Sequence, residues 1–180
     1  MRSLGFLVLF FLPLFGFSQE YLTKTGSVVF LSTAPLNEFE GKSKVLNGLV
    51  DLEKNLLDFY LDLNTLETGI GLRDKHMREN YLETDKYPFA EFTGKMEPVP
   101  AMEPGKSYPV RAKGKFKIHG VERDLLVPGT LTLRDDGKID LKAEFVISLN
   151  DYQIEIPKLV FYELAAEQKL TINATLSPKK

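Results

Sequence analysis

The chain has 180 residues, with 23 basic and 25 acidic side chains, two histidines and no cysteine. Without cysteine there is neither a disulfide nor a thiolate metal site, so the fold must be stabilised by burial and strand pairing. The charges of both signs are interspersed and the net charge is −2, which argues against nucleic acid as a partner.

The first 18 residues have the pattern of a cleavable signal peptide. Arg2 supplies the positive start, residues 4–17 form an apolar run, and small residues precede a cut site ahead of Gln19. Pro13 interrupts this run, which is shorter than the ~20 residues of a bilayer span, so we expect no stable membrane insertion. Loss of Arg2 reduces the basic residues from 23 to 22 against 25 acidic ones. We predict one exported domain over residues 19–180, periplasmic or secreted.

Apolar residues recur with a period of two along the rest of the chain and predict strands. In the stretch YPVRAKGKFKIH, residues 108–119, apolar or small side chains occupy the even positions and most odd positions are basic. Short turns join most neighbouring strands, so they should pair antiparallel, and about eight such strands close into a barrel. The predicted strands are residues 21–31, 38–52, 57–63, 89–97, 108–119, 125–133, 139–149 and 170–176.

Two connections are long enough to contain a helix, residues 66–87 and the shorter residues 157–165. In the first, four residues share one helical stripe at spacings i, i+3, i+4 and i+7, namely Arg73, His76, Met77 and Asn80. If this stripe faces the barrel, its polar groups need partners, because unpaired burial costs ~1–3 kcal/mol per group. Two interpretations stay open: a structural latch on the barrel rim, or contacts for the polar head group of a ligand.

Several predicted inward stripes have a small residue near their middle, namely Ala112, Gly114, Gly129, Ala143 and Ala174. Such residues indicate either a hollow interior or the ordinary taper of a small barrel, and the pattern does not decide between them. No strand carries a ring of inward charges. A hollow would therefore be apolar and suited to a long apolar ligand.

Motifs for hydrolysis, metalloprotease chemistry and phosphate binding are absent from the sequence. His76 and His119 are the only histidines, too few and too far apart to predict a zinc centre. His119 precedes Gly120 and is expected to be a hairpin residue. We therefore expect no metal ion, no cofactor and no catalytic residue.

Five short motifs follow one another along the mature chain: RDxHM at residues 73–77, YL at 81–82, YPFAEFT at 87–93, FKIHGVER at 116–123 and DYxIxIP at 151–157. In this order and spacing they resemble the YceI-like family of exported, polyisoprenoid-binding, lipocalin-like proteins. The resemblance covers essentially the whole mature chain.

The resemblance implies an all-β fold, an antiparallel eight-stranded lipocalin-like barrel. It has a short helical crossover between strands 3 and 4 and a short helical turn before the last strand. It also implies a carrier or storage protein with an elongated apolar pocket for a polyisoprenoid, an isoprenoid quinone or a fatty-acyl lipid. The residues that would contact the polar head group of the ligand are Arg73, Asp74 and His76, to which the helical stripe adds Asn80.

The apolar pocket is predicted from inward-facing strand residues, the crossover and the segment before the last strand. Its residues are Phe59, Leu61, Met77, Tyr81, Phe92, Tyr108, Val110, Ala112, Gly114, Phe116, Phe145, Ile147, Phe161 and Ile172. The aromatic residues around Phe161 depart from the family pattern and would narrow one end. Two other classes of function stay open: a lipid isomerase or cyclase that uses His76 as acid or base, and an envelope protein-interaction module with a packed barrel. A homodimer is compatible with each.

Overall fold

The computed structural model describes residues 20–156 and 164–179, which form a closed antiparallel barrel. Each strand pairs with the next, and the last strand pairs with the first to close the barrel. This architecture confirms the predicted fold. The eight strands are Glu20–Ala34 (β1), Asn37–Asp51 (β2), Leu56–Asp62 (β3), Phe89–Met96 (β4), Ser107–Ile118 (β5), Val121–Leu133 (β6), Ile139–Ser148 (β7) and Glu167–Pro178 (β8).

The alternation in β5 shows why these sequences form a barrel wall. Val110, Ala112 and Phe116 are buried inside, whereas the lysines between them are exposed. Because successive side chains of a strand point to opposite faces, this sequence can bury its apolar stripe only if the other face meets solvent. The predicted inward stripe of β5 is therefore confirmed.

The turn between β5 and β6 is shorter than predicted. The predicted strands, residues 108–119 and 125–133, left five residues between them, but Val121 already pairs with Ile118 and only His119 and Gly120 form the turn. Both have positive φ, 54° and 73°, as a two-residue hairpin turn requires. Gly120 also lacks space for a side chain, since a Cβ there would lie 2.6 Å from the ring of Tyr87.

The connection between β3 and β4 contains the predicted helical crossover. It consists of a 3₁₀ turn at Leu63–Thr65, the helix Gly71–His76 (α1) and a π-helical turn at Met77–Tyr81. We call the end of the barrel that bears this connection the crossover end. One buried core cluster lies here and includes Leu63, Phe116 and Tyr152, while a second lies towards the opposite end around Val50, Leu131 and Ile139.

Before the last strand the structure has a 3₁₀ helix at Leu149–Tyr152. The helical turn predicted at residues 157–165 falls mostly outside the described residues, which omit 157–163, and so does Phe161. The predicted signal peptide, residues 1–18, also lies outside them. In the part of the chain that is described, no helix is long and apolar enough to cross a membrane.

Candidate ligand-binding cavity

The barrel encloses a cavity of about 440 Å³, to which all eight strands and the crossover contribute side chains. This volume lies within the ~300–1,000 Å³ of typical small-molecule pockets. Its wall is mainly aliphatic and aromatic and includes residues of both core clusters, such as Leu63 and Val110. The cavity therefore extends along the barrel from one core cluster to the other.

Most of the predicted apolar pocket residues line this cavity. They are Phe59, Leu61, Met77, Tyr81, Phe92, Val110, Ala112, Phe116, Phe145, Ile147 and Ile172. Tyr108 and Gly114 are not part of the wall. Tyr108 lies towards the opposite end, where its hydroxyl accepts a hydrogen bond from the backbone N–H of Glu103 at 3.0 Å.

Glycine at position 114 does not reflect a hollow interior, one of the two explanations that the sequence suggested. It pairs with Gly94 of β4, and a Cβ on Gly114 would lie 2.8 Å from the Cα of Gly94 and closer still to the carbonyl oxygen of Thr93. The glycine thus permits a close approach of two strands. Ala112, Gly129 and Ala143 do line the cavity. Gly129 also lies against a neighbouring strand, since a Cβ there would lie 2.8 Å from the carbonyl oxygen of Lys142, so both explanations apply to it.

The cavity opens at the crossover end. Ile70 and Leu72 belong to its wall, yet 54% and 64% of their surfaces are exposed to solvent. Asn37 and Phe39, from the start of β2, line the cavity as well. Among the described residues, the mouth beside α1 therefore combines exposed apolar side chains with the polar Asn37, Arg73 and His76.

Arg73 lines the mouth of the cavity, but its guanidinium group is used within the protein. Its Nε donates to the hydroxyl of Thr68 at 2.9 Å, and Nη2 donates to the Thr68 carbonyl at 3.1 Å. The guanidinium carbon also lies 4.1 Å from the centre of the Phe39 ring, a cation–π contact. These contacts favour the latch interpretation for this residue.

Asp74 is buried and is not part of the cavity wall. Its Oδ1 accepts hydrogen bonds from the backbone N–H of Thr68 at 2.7 Å and from the Thr68 hydroxyl. Together with Arg73 it closes the loop that leads into α1. The structure therefore gives Asp74 an anchoring position and no direct route to a ligand.

His76 and Asn80 separate because the helix changes type after His76. The π-helical turn adds a residue, so the position that returns to the cavity is Tyr81, while Asn80 is exposed and outside the wall. His76 is exposed but does border the cavity. Of the four residues on the predicted stripe, three therefore line the cavity, namely Arg73, His76 and Met77.

A second anchor holds the other end of the crossover. The ring of His119 donates from Nδ1 to the carbonyl oxygen of Tyr152 at 3.1 Å, and its Nε2 lies 2.8 Å from Oε2 of Glu83. Glu83 also bonds with Lys86 at 2.6 Å. Two hydrogen bonds hold the pKa of the Glu83 carboxyl group below its ordinary value of 4.5. The one from Lys86 has the larger effect, and the one from His119 has the next largest. The predicted hairpin position of His119 is confirmed, but the prediction did not include its contact with Glu83.

Sequence reasoning missed several wall residues, among them Phe39 and Gln168. The inward stripe of β8 contains Leu170 and Ile172, and the strand begins earlier than predicted, at Glu167. Extending the same period of two by one step would have included Gln168. Phe39 lies at the beginning of β2, where the alternation in the sequence is interrupted by glycine and lysine.

Among the described residues, no group of three or more His, Asp or Glu side chains could hold a metal ion. A closed antiparallel barrel with an apolar interior cavity and one open end has the architecture of a lipocalin-like binding barrel. Comparison with protein families is more specific: residues 22–177 match the YceI-like domain. The chain belongs to the YceI-like family.

Solved structures have the same fold. A polyisoprenoid-binding domain from Saccharophagus degradans, implicated in plant cell wall breakdown, has a TM-score of 0.77 and 19% identity, over 89% of this chain and 99% of that one. BcnA from Burkholderia cenocepacia has a TM-score of 0.70 and 16% identity, over 84% and 96%. The Campylobacter jejuni YceI protein has a TM-score of 0.62 and 19% identity, over 78% and 85%. No curated protein matches the sequence.

Proposed function

We propose that this protein is an exported carrier or storage protein that encloses a polyisoprenoid, an isoprenoid quinone or a fatty-acyl lipid within its barrel. The observation on which the proposal rests is the apolar cavity of about 440 Å³ with its mouth beside α1. Enclosing a hydrocarbon chain there removes apolar surface from water, which contributes ~25 cal/mol per Å². The description of the Saccharophagus degradans relative as a polyisoprenoid-binding domain supports the same ligand class.

In this proposal the ligand chain lies along the inner wall, in contact with residues such as Ala112, Phe116 and Phe145. Its polar end lies towards the mouth, near Arg73 and His76. Asp74 contributes indirectly, through the Thr68 loop that positions Arg73. The aromatic rings supply large contact areas and have few rotatable bonds, so the protein loses little side-chain entropy when these rings are fixed against a ligand.

Binding without catalysis is favoured by the surroundings of His76. General acid–base chemistry needs a proton-transfer group held in place beside the reacting atoms. His76 is exposed at the mouth, and no hydrogen bond joins its ring to a carboxylate of the described residues. A His76→Gln protein that binds lipid as before and yields the same extracted lipid species would agree with a carrier.

The direct test is the identity of what the protein holds. The mature protein is purified from its native host without detergent, extracted with organic solvent and analysed by mass spectrometry. We expect a long-chain lipid in amounts approaching one per protein. A protein that yields none, and that takes up none from added isoprenoids, would contradict the proposal. An Ala112→Phe protein purified in parallel controls for lipid carried on the outer surface, because it obstructs only the cavity.

We propose that the protein is exported, because its first 18 residues resemble a signal peptide. The expected result is that the protein is found in the periplasm or the culture medium and that its amino terminus is Gln19. Recovery of the uncleaved chain in the cytoplasm would contradict it, and lipid binding could still be tested separately on the purified domain.

A further inference from the structure

Two glycines of β2, Gly41 and Gly48, lie within the strand and not at a turn. Neither has a positive φ, so the backbone conformation at these positions does not require glycine. Glycine in the interior of a strand weakens it, because the unfolded chain gains freedom and no side chain is present to pack. The reason for these two glycines must therefore be sought in the space around them.

That space is occupied by aromatic rings from the neighbouring strands. Gly41 pairs with Phe30 of β1, and Gly48 pairs with Phe59 of β3. A Cβ on Gly41 would overlap Cε1 and Cζ of the Phe30 ring, and one on Gly48 would overlap Cδ1 and Cε1 of the Phe59 ring. Each ring therefore lies across its glycine, in the place that a side chain at the glycine position would take.

The same two rings form part of the cavity wall. Phe30 and Phe59 line the cavity and are only half-buried, so they present surface to it, whereas Gly41 and Gly48 behind them do not line it. Phe92 has a similar position over Gly114, where a Cβ would lie 2.9 Å from Cζ of the ring. The glycines thus allow bulky rings to lie against the wall and leave the centre of the barrel open.

We propose that Gly41 and Gly48 determine ligand specificity by seating Phe30 and Phe59 against the wall, which keeps the cavity wide enough for a methyl-branched isoprenoid chain. This inference rests on the proposed function and narrows its ligand to the isoprenoid class. A methyl group at either glycine displaces the ring, and because the sheet lies on the other side, the ring can move only into the cavity. A branched chain is wider than an unbranched acyl chain and loses its space first.

The test uses two saturated alcohols whose main chains are equally long, hexahydrofarnesol with methyl branches and dodecanol without them. Their affinities for the delipidated mature protein are measured by calorimetry. Gly48→Ala should bind hexahydrofarnesol roughly ten- to hundredfold more weakly than wild type, since the chain and the displaced Phe59 ring compete for one space, as in an overpacked core. The affinity for dodecanol should change far less.

A matched control removes the ring that the new methyl group would displace. In a Phe59→Leu protein the additional substitution Gly48→Ala should leave the affinity for hexahydrofarnesol nearly unchanged. An effect of alanine on the strand alone would persist without the ring, so this comparison separates the two causes. Gly41→Ala, with and without Phe30→Leu, repeats the test at the second glycine and covers the case in which Gly48→Ala does not fold.

The outcomes distinguish this inference from the proposed function. Wild-type affinities in Gly48→Ala and Gly41→Ala, or a loss of the same size with and without the paired ring, would overturn the seating role and leave the carrier function intact. An equal loss for hexahydrofarnesol and dodecanol would overturn the selection of branched chains. A wild-type protein that binds neither alcohol nor any longer isoprenoid would contradict the proposed function itself.

Discussion

The guanidinium carbon of Arg73 lies 4.1 Å from the centre of the Phe39 ring, which joins the crossover to the first residues of β2. The same guanidinium donates two hydrogen bonds to Thr68, and an isolated backbone bridge connects Lys42 with Glu67 just before that loop. The crossover is therefore fastened to β2 by several contacts over a short stretch. Arg73 joins the two sides through its planar shape and its charge.

Replacing Arg73 should test this fastening. Arg73→Leu removes both hydrogen bonds to Thr68 and the stacking on Phe39. We expect the free energy of unfolding to fall by ~1–2 kcal/mol, because the side chain is only partly buried. Urea denaturation would measure it, with Lys75→Leu, an exposed neighbour on the same helix, as the matched control. Unchanged stability together with a large loss of lipid affinity would show instead that Arg73 acts on the head group.

Ala112 tests whether the cavity holds the ligand. It lines the cavity on β5, and a phenylalanine at this position would extend into space that a ligand chain would use. For Ala112→Phe we expect the delipidated protein to melt close to wild type while the retained lipid falls several-fold. Filling space that is already packed would instead cost typically ~1–3 kcal/mol. Thermal unfolding and lipid extraction are measured on the same preparation.

The control for this substitution is Leu126→Phe, on the neighbouring strand, where 56% of the side chain is exposed outside the barrel. It adds an aromatic ring without entering the cavity, so lipid content and melting should both stay near wild type. Strong destabilisation of delipidated Ala112→Phe would mean that the barrel cannot accommodate a ligand there. Lipid lost equally from both variants would point to binding on the outer surface.

The barrel itself was predictable because its stripes are long and regular. In β5 each second residue is apolar or small and most of the others are lysine or arginine, so only one face can be buried. The crossover end of the barrel was less predictable. Gln168 is a polar member of an inward stripe, and sequence alternation alone does not distinguish it from the start of a loop.

The crossover residues show a second limit of the sequence. Spacings of three and four placed Asn80 on the stripe of Arg73, but a π-helical turn carries Asn80 to the surface and Tyr81 to the cavity. Nothing in the local sequence signals that insertion. Gly114 shows a third limit, since a small residue on an inward stripe can reflect a hollow or a neighbouring backbone, and only the position of Gly94 decides between them.

The anchor at Glu83 should make stability depend on pH. The hydrogen bonds from Lys86 and then His119 lower the pKa of Glu83 in the folded protein below its ordinary value of 4.5. Between these two pKa values the unfolded chain binds more protons than the folded one, so stability is lost as pH falls through that range. The stability difference between wild type and Glu83→Gln should therefore be largest at neutral pH and shrink below 4.5.

Urea denaturation of wild type and Glu83→Gln at neutral pH, and again well below 4.5, would measure this difference. Lys86→Met removes the first of the two partners of Glu83. It should reduce the pH-dependent part of the free energy of unfolding and leave the His119 contact in place. A difference between wild type and Glu83→Gln that stays constant over the whole pH range would contradict the role of the ionised carboxylate.

The last prediction concerns the pairing of Gly94 with Gly114, which allows β4 and β5 to approach closely. A Cβ on Gly114 would meet backbone atoms of β4, including the Cα of Gly94 at 2.8 Å, and backbone atoms in a paired strand cannot move aside as a flexible side chain can. Gly114→Ala should therefore destabilise the barrel by ~1–3 kcal/mol. The matched control is Gly71→Ala in α1, where the new methyl group meets nothing within 4 Å. There, less freedom in the unfolded chain should leave stability equal or slightly higher. If both variants unfold at the same denaturant concentration, the close approach of β4 and β5 would not be the reason for glycine at this position.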